Sequence, residues 1–256
     1  EQTWPYYSFY LYEDPSINFS KRPQVKSYTQ NSKSALFNGM IHPIIPYNIK
    51  GSIWYQGENN VSRFKEYETL FPAMIKDWRK KWSSDFPFYF VQIAPFENYN
   101  GLSSSLRNVQ RKTLKVEKTG MVVTLDIGEI DDIHPSNKHD VGYRLAGLAL
   151  SNDYGKPMVA SGPLYENFEV SGNKLIVTFD FVGSGLTSYD KELAAFEIAG
   201  ADKKYIKAKA YIENNKVYIY SSKIQNPKYA RYAWKDTSVA SLFNKEGLPA
   251  STFTTE

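Results

Sequence analysis

An α/β fold, in which part of a parallel sheet is followed by a small antiparallel β domain, is predicted by three observations. Short apolar runs at residues 49–55, 88–93 and 121–125 alternate with patterns of helical period. Polar loops follow two of these runs, at Gln56-Gly57-Glu58-Asn59-Asn60 and at residues 126–139. Beyond Tyr154 the apolar period changes from helical to alternating.

Residues 1–33 are crowded with aromatics from Trp4 to Tyr12 and broken by Pro5, Pro15 and Pro23, so they read as an extended or insertion-derived segment. From Ser34 onward, Ala35, Leu36, Met40 and Ile41 suggest a short helix that Pro43 and Pro46 end. The first strand, residues 49–55, is mostly apolar around Gly51. Asn60 or Ser62 is placed to cap the next helix, where Phe64, Tyr67, Leu70, Phe71, Met74, Ile75, Trp78 and Trp82 fall at helical spacing. Arg79, Lys80 and Lys81 suit its carboxyl end, and Pro72 predicts a kink or break. Residues 88–93 give a second strand, apolar except for Gln92, and residues 104–118 a helix carrying Leu106, Val109 and Leu114. Residues 121–125 are the third strand, and Val141, Leu145 and Leu148 line one face of a helix over 137–150.

This succession implies right-handed crossovers and a parallel sheet over residues 34–157. Residues 158–256 read as the antiparallel β domain, with a sandwich as one arrangement. Leu175, Val177, Phe179 and Phe181 alternate after the turn Ser171-Gly172-Asn173, Asn214-Asn215 separates two further strands, and residues 229–234 give another. Three parallel strands alone would leave an apolar edge exposed, which folded proteins avoid. The sequence therefore reads as the second half of an α/β domain whose remaining strands lie upstream. Its opening on Glu1 without Met fits a processed or truncated piece.

Composition narrows the function. Hydrophobic residues at 42% and charged residues at 23% are those of a globular protein. The net charge of +4 is spread along the chain rather than clustered, which argues against nucleic-acid binding. No apolar run approaches the roughly 18 residues that a membrane-spanning helix needs. The absence of Cys removes disulfides and thiolate metal sites. Many of the 20 Tyr serve strands and core, although exposed ones can stack on sugar rings.

The loop Asp126-Ile127-Gly128-Glu129-Ile130-Asp131-Asp132-Ile133-His134-Pro135 carries the chemistry. It leaves the carboxyl end of a strand, where open α/β sheets place their ligands. Asp131 lies three residues before His134, so its carboxylate can hold one imidazole nitrogen while the other takes a proton from a nucleophile. Read alone, the loop is equally a solvated helix cap. Asp126, Glu129, Asp131 and Asp132 lack the spacing of a metal loop, and no metal or cofactor is expected. His42 reads as structural, and His139 as exposed or capping. Trp78 and Trp82 read as core, whereas Trp54, abutting the Gln-Gly-Glu turn, fits either a core or a site role.

Several longer words recur in order. They are Leu36-Phe37-Asn38-Gly39-Met40-Ile41 with Pro43, then Gly51-Ser52-Ile53-Trp54-Tyr55-Gln56-Gly57-Glu58, then Leu70-Phe71-Pro72 with Asp77-Trp78-Arg79. Asp126-Ile127-Gly128, Asp132-Ile133-His134-Pro135 and Ser161-Gly162-Pro163-Leu164-Tyr165 follow. Phe196-Glu197-Ile198-Ala199-Gly200-Ala201, Arg231-Tyr232-Ala233-Trp234, Leu242-Phe243-Asn244 and Gly247-Leu248-Pro249-Ala250 complete the series. From residue 34 to 256 the chain resembles the sialate O-acetylesterase (9-O-acetylesterase) family of SGNH-type hydrolases. The resemblance implies part of an SGNH, flavodoxin-like sheet and a Ser-His-acid esterase that removes acetyl groups from sugar hydroxyls without a cofactor. It assigns His134 as general base and Asp131 as its partner, with Glu58 an alternative acid and Asp132 a further carboxylate beside the His. It sets the Gln56 amide and the Gly57 N–H toward the developing oxyanion. The implied partners are an acetylated sugar and an upstream polypeptide, and the implied compartment is periplasmic or secreted.

The sequence departs from that family in one respect. The nucleophile belongs in a Gly-x-Ser-Asn turn after a first strand, and no such turn occurs. Ser8 and Ser20 lack the strand-turn-helix setting, and Ser103, Ser104 and Ser105 read as a loop and helix cap. This chain alone is therefore expected to be inactive. Two other readings remain from the sequence: an acetyl xylan esterase, and a carbohydrate-binding protein that kept the fold and lost the serine.

Overall fold

The computed structural model describes Thr29, Ser32 and residues 34–256. The expectations for residues 1–33, those for Ser8 and Ser20 among them, therefore fall outside the described residues except at Thr29 and Ser32. Ser52–Trp54 (β1), Phe88–Val91 (β2) and Thr119–Val122 (β3) form a parallel sheet in that spatial order. Phe64–Trp82 (α1) and Ser103–Thr113 (α2) make the crossovers, and Lys138–Asn152 (α3) follows β3. The strands are shorter than their apolar runs; just past their ends the Gln92 side chain donates to Arg107 O of α2 and the Thr124 hydroxyl to Gln92 O.

The two faces of the sheet are covered differently. Phe88, Phe90, Met121 and Val123 pack under Phe71, Met74, Ile75, Leu106 and Val109 of α1 and α2. Tyr89, Val91 and Val122 point the other way, against Val141, Leu145 and Leu148 of α3. This is the period-2 alternation of a strand meeting the helical period of its neighbours. Among the described residues the outer edge of β1 has no neighbouring strand, and Ile53 on it is 69% exposed.

Local details depart from sequence expectation where packing outweighs propensity. Instead of a regular helix before β1, Phe37–Ile41 forms a π-helical turn and His42–Ile44 a 3-10 turn. Helix α1 runs unbroken through Pro72. Buried Leu70, Phe71, Met74 and Ile75 on either side hold it, offsetting a local cost of about 3 kcal/mol. Neither Asn60 nor Ser62 caps α1, which instead continues from the 3-10 turn Glu58–Arg63. Asn137 does cap α3, accepting the Asp140 N–H at 3.1 Å. Trp54 joins an aromatic cluster with Phe71, Trp78 and Phe88, and Trp78 continues it to Trp82.

After α3 the chain is antiparallel. Leu164–Ser171 (β4) and Lys174–Asp180 (β5) form a hairpin, with Gly172 at a φ of +58° in its turn. Leu186–Thr187 (β6), Phe196–Ala199 (β7), Ile206–Lys207 (β8), Lys209–Glu213 (β9) and Lys216–Tyr220 (β10) come next. Asn214 and Asn215 both take positive φ, as the two-residue turn between β9 and β10 requires. Tyr229–Tyr232 (β11), Phe243–Asn244 (β12) and Phe253–Thr254 (β13) complete the chain. Sheets β4-β5-β10-β9 and β13-β11-β7-β8 share one apolar interior: Leu175, Val177, Val217 and Ile219 join Phe196, Ile198, Tyr232 and Phe253. That interior is continuous with the core beneath α1 and α2.

Candidate active site

The site is assembled at the carboxyl end of the parallel sheet, where β1 opens into Tyr55-Gln56-Gly57-Glu58. Gly57 takes a φ of +152°, and a Cβ there would lie 3.0 Å from Ile93 Cγ2 and 3.2 Å from Gln110 Nε2. Only glycine fits that passage. Gln110 of α2 binds the turn to the next strand. Its Oε1 accepts the Ile93 N–H at 2.9 Å, and its Nε2 donates to the carbonyls of Val91 (3.1 Å) and Gln56 (3.3 Å). The Gln56 Nε2 donates to Asn60 Oδ1 at 2.7 Å, while its Oε1 is buried without a partner. A buried acceptor left open in this way is uncommon in folded proteins.

Glu58 begins the 3-10 turn, and burial raises its carboxyl above the ordinary range. The backbone N–H groups of Gly57 and Glu58, then His134 and Lys138, pull it back down. Tyrosines surround it. Burial and then the Glu58 charge push the Tyr55 phenol up to about 12, and both causes also raise Tyr67 and Tyr99. Lys138 Nζ sits 5.3 Å from the Tyr55 ring centroid and donates to the Pro135 carbonyl at 2.5 Å.

The loop bearing His134 is held at several points. Arg144 of α3 donates to Val123 O at 2.6 Å and forks onto Asp126, at 2.8 Å to Oδ1 and 2.5 Å to Oδ2. Glu129 Oε1 accepts both the N–H (2.7 Å) and the hydroxyl (2.5 Å) of Ser136, which closes the neck of the loop. These bonds hold the Glu129 carboxyl below its ordinary value. The Glu97 N–H donates to Ile130 O at 2.9 Å, and Pro135 is buried. At Gly128 a Cβ would come within 2.5 Å of Pro95 Cδ, so the loop lies flat on the strand exit. Two of the clustered carboxylates are thus committed to Arg144 and Ser136, and among the described residues no set of three His, Cys, Asp or Glu could hold a metal ion.

The His134 imidazole is 88% exposed. Asp132 is the carboxylate beside it: Oδ1 accepts the His134 N–H at 2.8 Å and lies 3.9 Å from Nδ1. Asp131, the partner expected from spacing, is exposed and forms neither a hydrogen bond nor an ion pair with His134. Glu58 stays within electrostatic reach of the imidazole from the facing turn. Three carboxylates therefore meet His134 differently: Asp132 by contact, Glu58 by field, Asp131 by sequence proximity alone. His139 is exposed in the first turn of α3, 3.1 Å from Asp140 Oδ1, and His42 is exposed. Ser103 opens α2, where Asp236 Oδ1 accepts its N–H (3.0 Å) and hydroxyl (2.6 Å).

Sequence reasoning missed Tyr55, Tyr99, Gln110, Lys138 and Arg144. Tyr55 sat inside the word that ends in Gln-Gly-Glu, and Lys138 and Arg144 near the histidine loop, but nothing local shows where Tyr99 and Gln110 point. The contact of Asp132 had a signal in retrospect, since Asp two residues before an N–H is the Asx-turn pattern.

A Gln-Gly-Glu turn and a histidine loop thus face each other at the carboxyl edge of a parallel sheet, where open α/β folds place their ligands. Residues 23–151 match the family described as "Carbohydrate esterase, sialic acid-specific acetylesterase". The chain belongs to this family. It is 32% identical to mouse sialate O-acetylesterase over 193 residues, which are 66% of this chain and 36% of that protein. It is 34% identical to the rat protein over 172 residues, 57% of this chain and 32% of the relative. A carbohydrate acetylesterase from Xanthomonas citri superposes with a TM-score of 0.85 at 38% identity, over 89% of this chain and 55% of that one. The chain thus spans about a third of the length of the curated relatives.

Proposed function

We propose that the chain is part of a carbohydrate O-acetylesterase that hydrolyses acetyl esters on sugar hydroxyls, with 9-O-acetylated sialic acid as substrate. The observation that carries this reading is that His134 lies within electrostatic reach of Glu58, in the turn that also holds Gln56 and Gly57. In this scheme His134 takes the proton of a serine hydroxyl as the serine oxygen attacks the acetyl carbonyl. The Gly57 N–H, released from the Glu58 carboxylate, and the Gln56 Nε2 proton that Asn60 does not accept stabilise the oxyanion. Collapse transfers the acetyl group to serine, and His134 returns the proton to the leaving sugar oxygen. Water, deprotonated by the same imidazole, then releases acetate and frees the serine. Asp131, Asp132 or Glu58 stabilises the imidazolium.

The serine lies on a polypeptide that precedes this chain and pairs with the open edge of β1. The exposed Ile53 and a β1 edge that no described strand pairs support this arrangement. The test measures acetate release from 9-O-acetylated sialic acid and from acetylated xylan. The chain alone should release none above background, and a polypeptide extended upstream through a Gly-x-Ser-Asn turn should prefer the sialic acid ester at least tenfold. Turnover by the extended protein that survives His134→Ala would sink the scheme. A preference for xylan would keep the chemistry and replace the substrate.

A further inference from the structure

Away from the His134 rim, a cavity of about 240 Å³ lies where α1 and α2 meet the β domain. Its walls include Ser105, Asn108, Lys112, Arg231 and Trp234. Helix α2 serves both places: Leu106 and Gln110 back the Gly57 turn, and Ser105, Asn108 and Lys112 line the cavity. The volume falls below the roughly 300–1,000 Å³ of drug-sized sites and leaves room for a single ring.

The chemistry of the walls is specific. The charges are already matched: Lys112 pairs with Glu68 at 2.9 Å, Arg231 with Glu197 at 2.7 Å, and Glu256 with Lys203 at 2.6 Å. A ligand bearing a net charge would disturb a balanced set. Polar valences nevertheless remain open. Asn108 uses only its Oδ1, accepting from Arg111 at 3.2 and 2.9 Å, which leaves its Nδ2 protons unused. Arg231 donates through Nε alone, and its plane is fixed between Tyr205, 3.9 Å from the ring centroid, and Trp234 at 5.6 Å. Arg231 is therefore a pre-oriented donor fork with both Nη groups to spare. Trp234 is half-buried and adds an indole, whose electron-rich face attracts C–H groups.

We infer that this cavity is an accessory subsite for a neutral sugar residue. The C–H face of the sugar would lie on Trp234, and its hydroxyls would accept from Asn108 and Arg231. The inference depends on the esterase reading only for its context, namely that the acetylated sugar is one unit of a longer glycan whose other units are neutral and which is held at two points.

The test uses the 256-residue chain with ¹⁵N-labelled tryptophan, titrated separately with lactose, chitobiose and glucuronic acid and followed by NMR. Trp234→Phe assigns the Trp234 indole resonance. Lactose or chitobiose should shift it saturably with a Kd on the order of 1 mM. Ser105→Leu fills the cavity without removing a hydrogen bond and should weaken binding at least tenfold. Three results overturn the inference: no saturable shift with either neutral sugar, a shift undiminished in Ser105→Leu, or tighter binding of glucuronic acid. The assay needs no nucleophile. Lactose binding by a chain whose extended form releases no acetate would retire the esterase reading and leave this subsite standing.

Discussion

At the scale of single residues, the proposed scheme turns on which acid serves His134. Contact favours Asp132, whose Oδ1 approaches Nδ1 to 3.9 Å, while Glu58 acts through a less hydrated path. In the extended enzyme, Asp132→Asn and Glu58→Gln should each lower kcat by roughly 10- to 1,000-fold, as a lost imidazolium partner does. Asp131→Asn should change it less than threefold, and a larger loss there in steady-state kinetics would restore the spacing-based assignment. Glu58 also makes a pH prediction. Its carboxyl is raised on folding, so the folded state holds its proton to higher pH than the unfolded one. Its contribution to stability is present below the ordinary carboxylate pKa and is lost as pH rises through the raised value. Melting temperatures of the native chain and Glu58→Gln should therefore converge at pH 4 and separate by a few degrees by pH 7, the variant being the more stable.

At the scale of elements, the histidine loop is a strap fastened by side chains in addition to the backbone bond from Glu97 to Ile130. The Asp126–Arg144 fork is its inner fastening, with side chains 18% and 9% exposed. Arg144→Ala should cost about 2–4 kcal/mol in urea denaturation, because a mostly buried carboxylate loses its partner. The Glu129–Ser136 clasp is the outer fastening, and it is solvated. Glu129→Ala should speed hydrogen exchange at the Ser136 N–H at least tenfold with little change in global stability. Equal protection in both proteins would show that Pro135 and the Glu97–Ile130 bond hold the loop by themselves.

At the scale of the whole molecule, one side chain ties the α/β layer to the β domain. Arg107 of α2 is fully buried, and its Nη2 donates to Ala233 O at 3.2 Å and Lys235 O at 2.6 Å. Burial lowers its guanidinium to about 10, against the pull of Asp236 and Tyr99, and its Nε and Nη1 have no partner. Asp236 meanwhile caps α2 through Gly101 and Ser103. Arg107→Ala should cost about 3–5 kcal/mol, the usual loss when a buried charged contact is broken. In calorimetry the native chain should unfold in one transition and Arg107→Ala in two, since the same contacts couple the layers. A single, unshifted transition would mean that the shared apolar interior alone joins them.

What the sequence determined by itself was whatever depends on local pattern: the three parallel strands and their crossovers, the β hairpins at Gly172 and Asn214-Asn215, and the words that mark the carbohydrate esterase family. Period and turn chemistry are properties of neighbouring residues, so they can be read in one dimension. Only the tertiary structure decided that Asp132 rather than Asp131 touches His134, that Asn60 receives Gln56 instead of capping α1, and that Gln110 braces the Gly57 turn. Those outcomes depend on where a side chain points once its backbone is packed, and on which distant group then needs a partner.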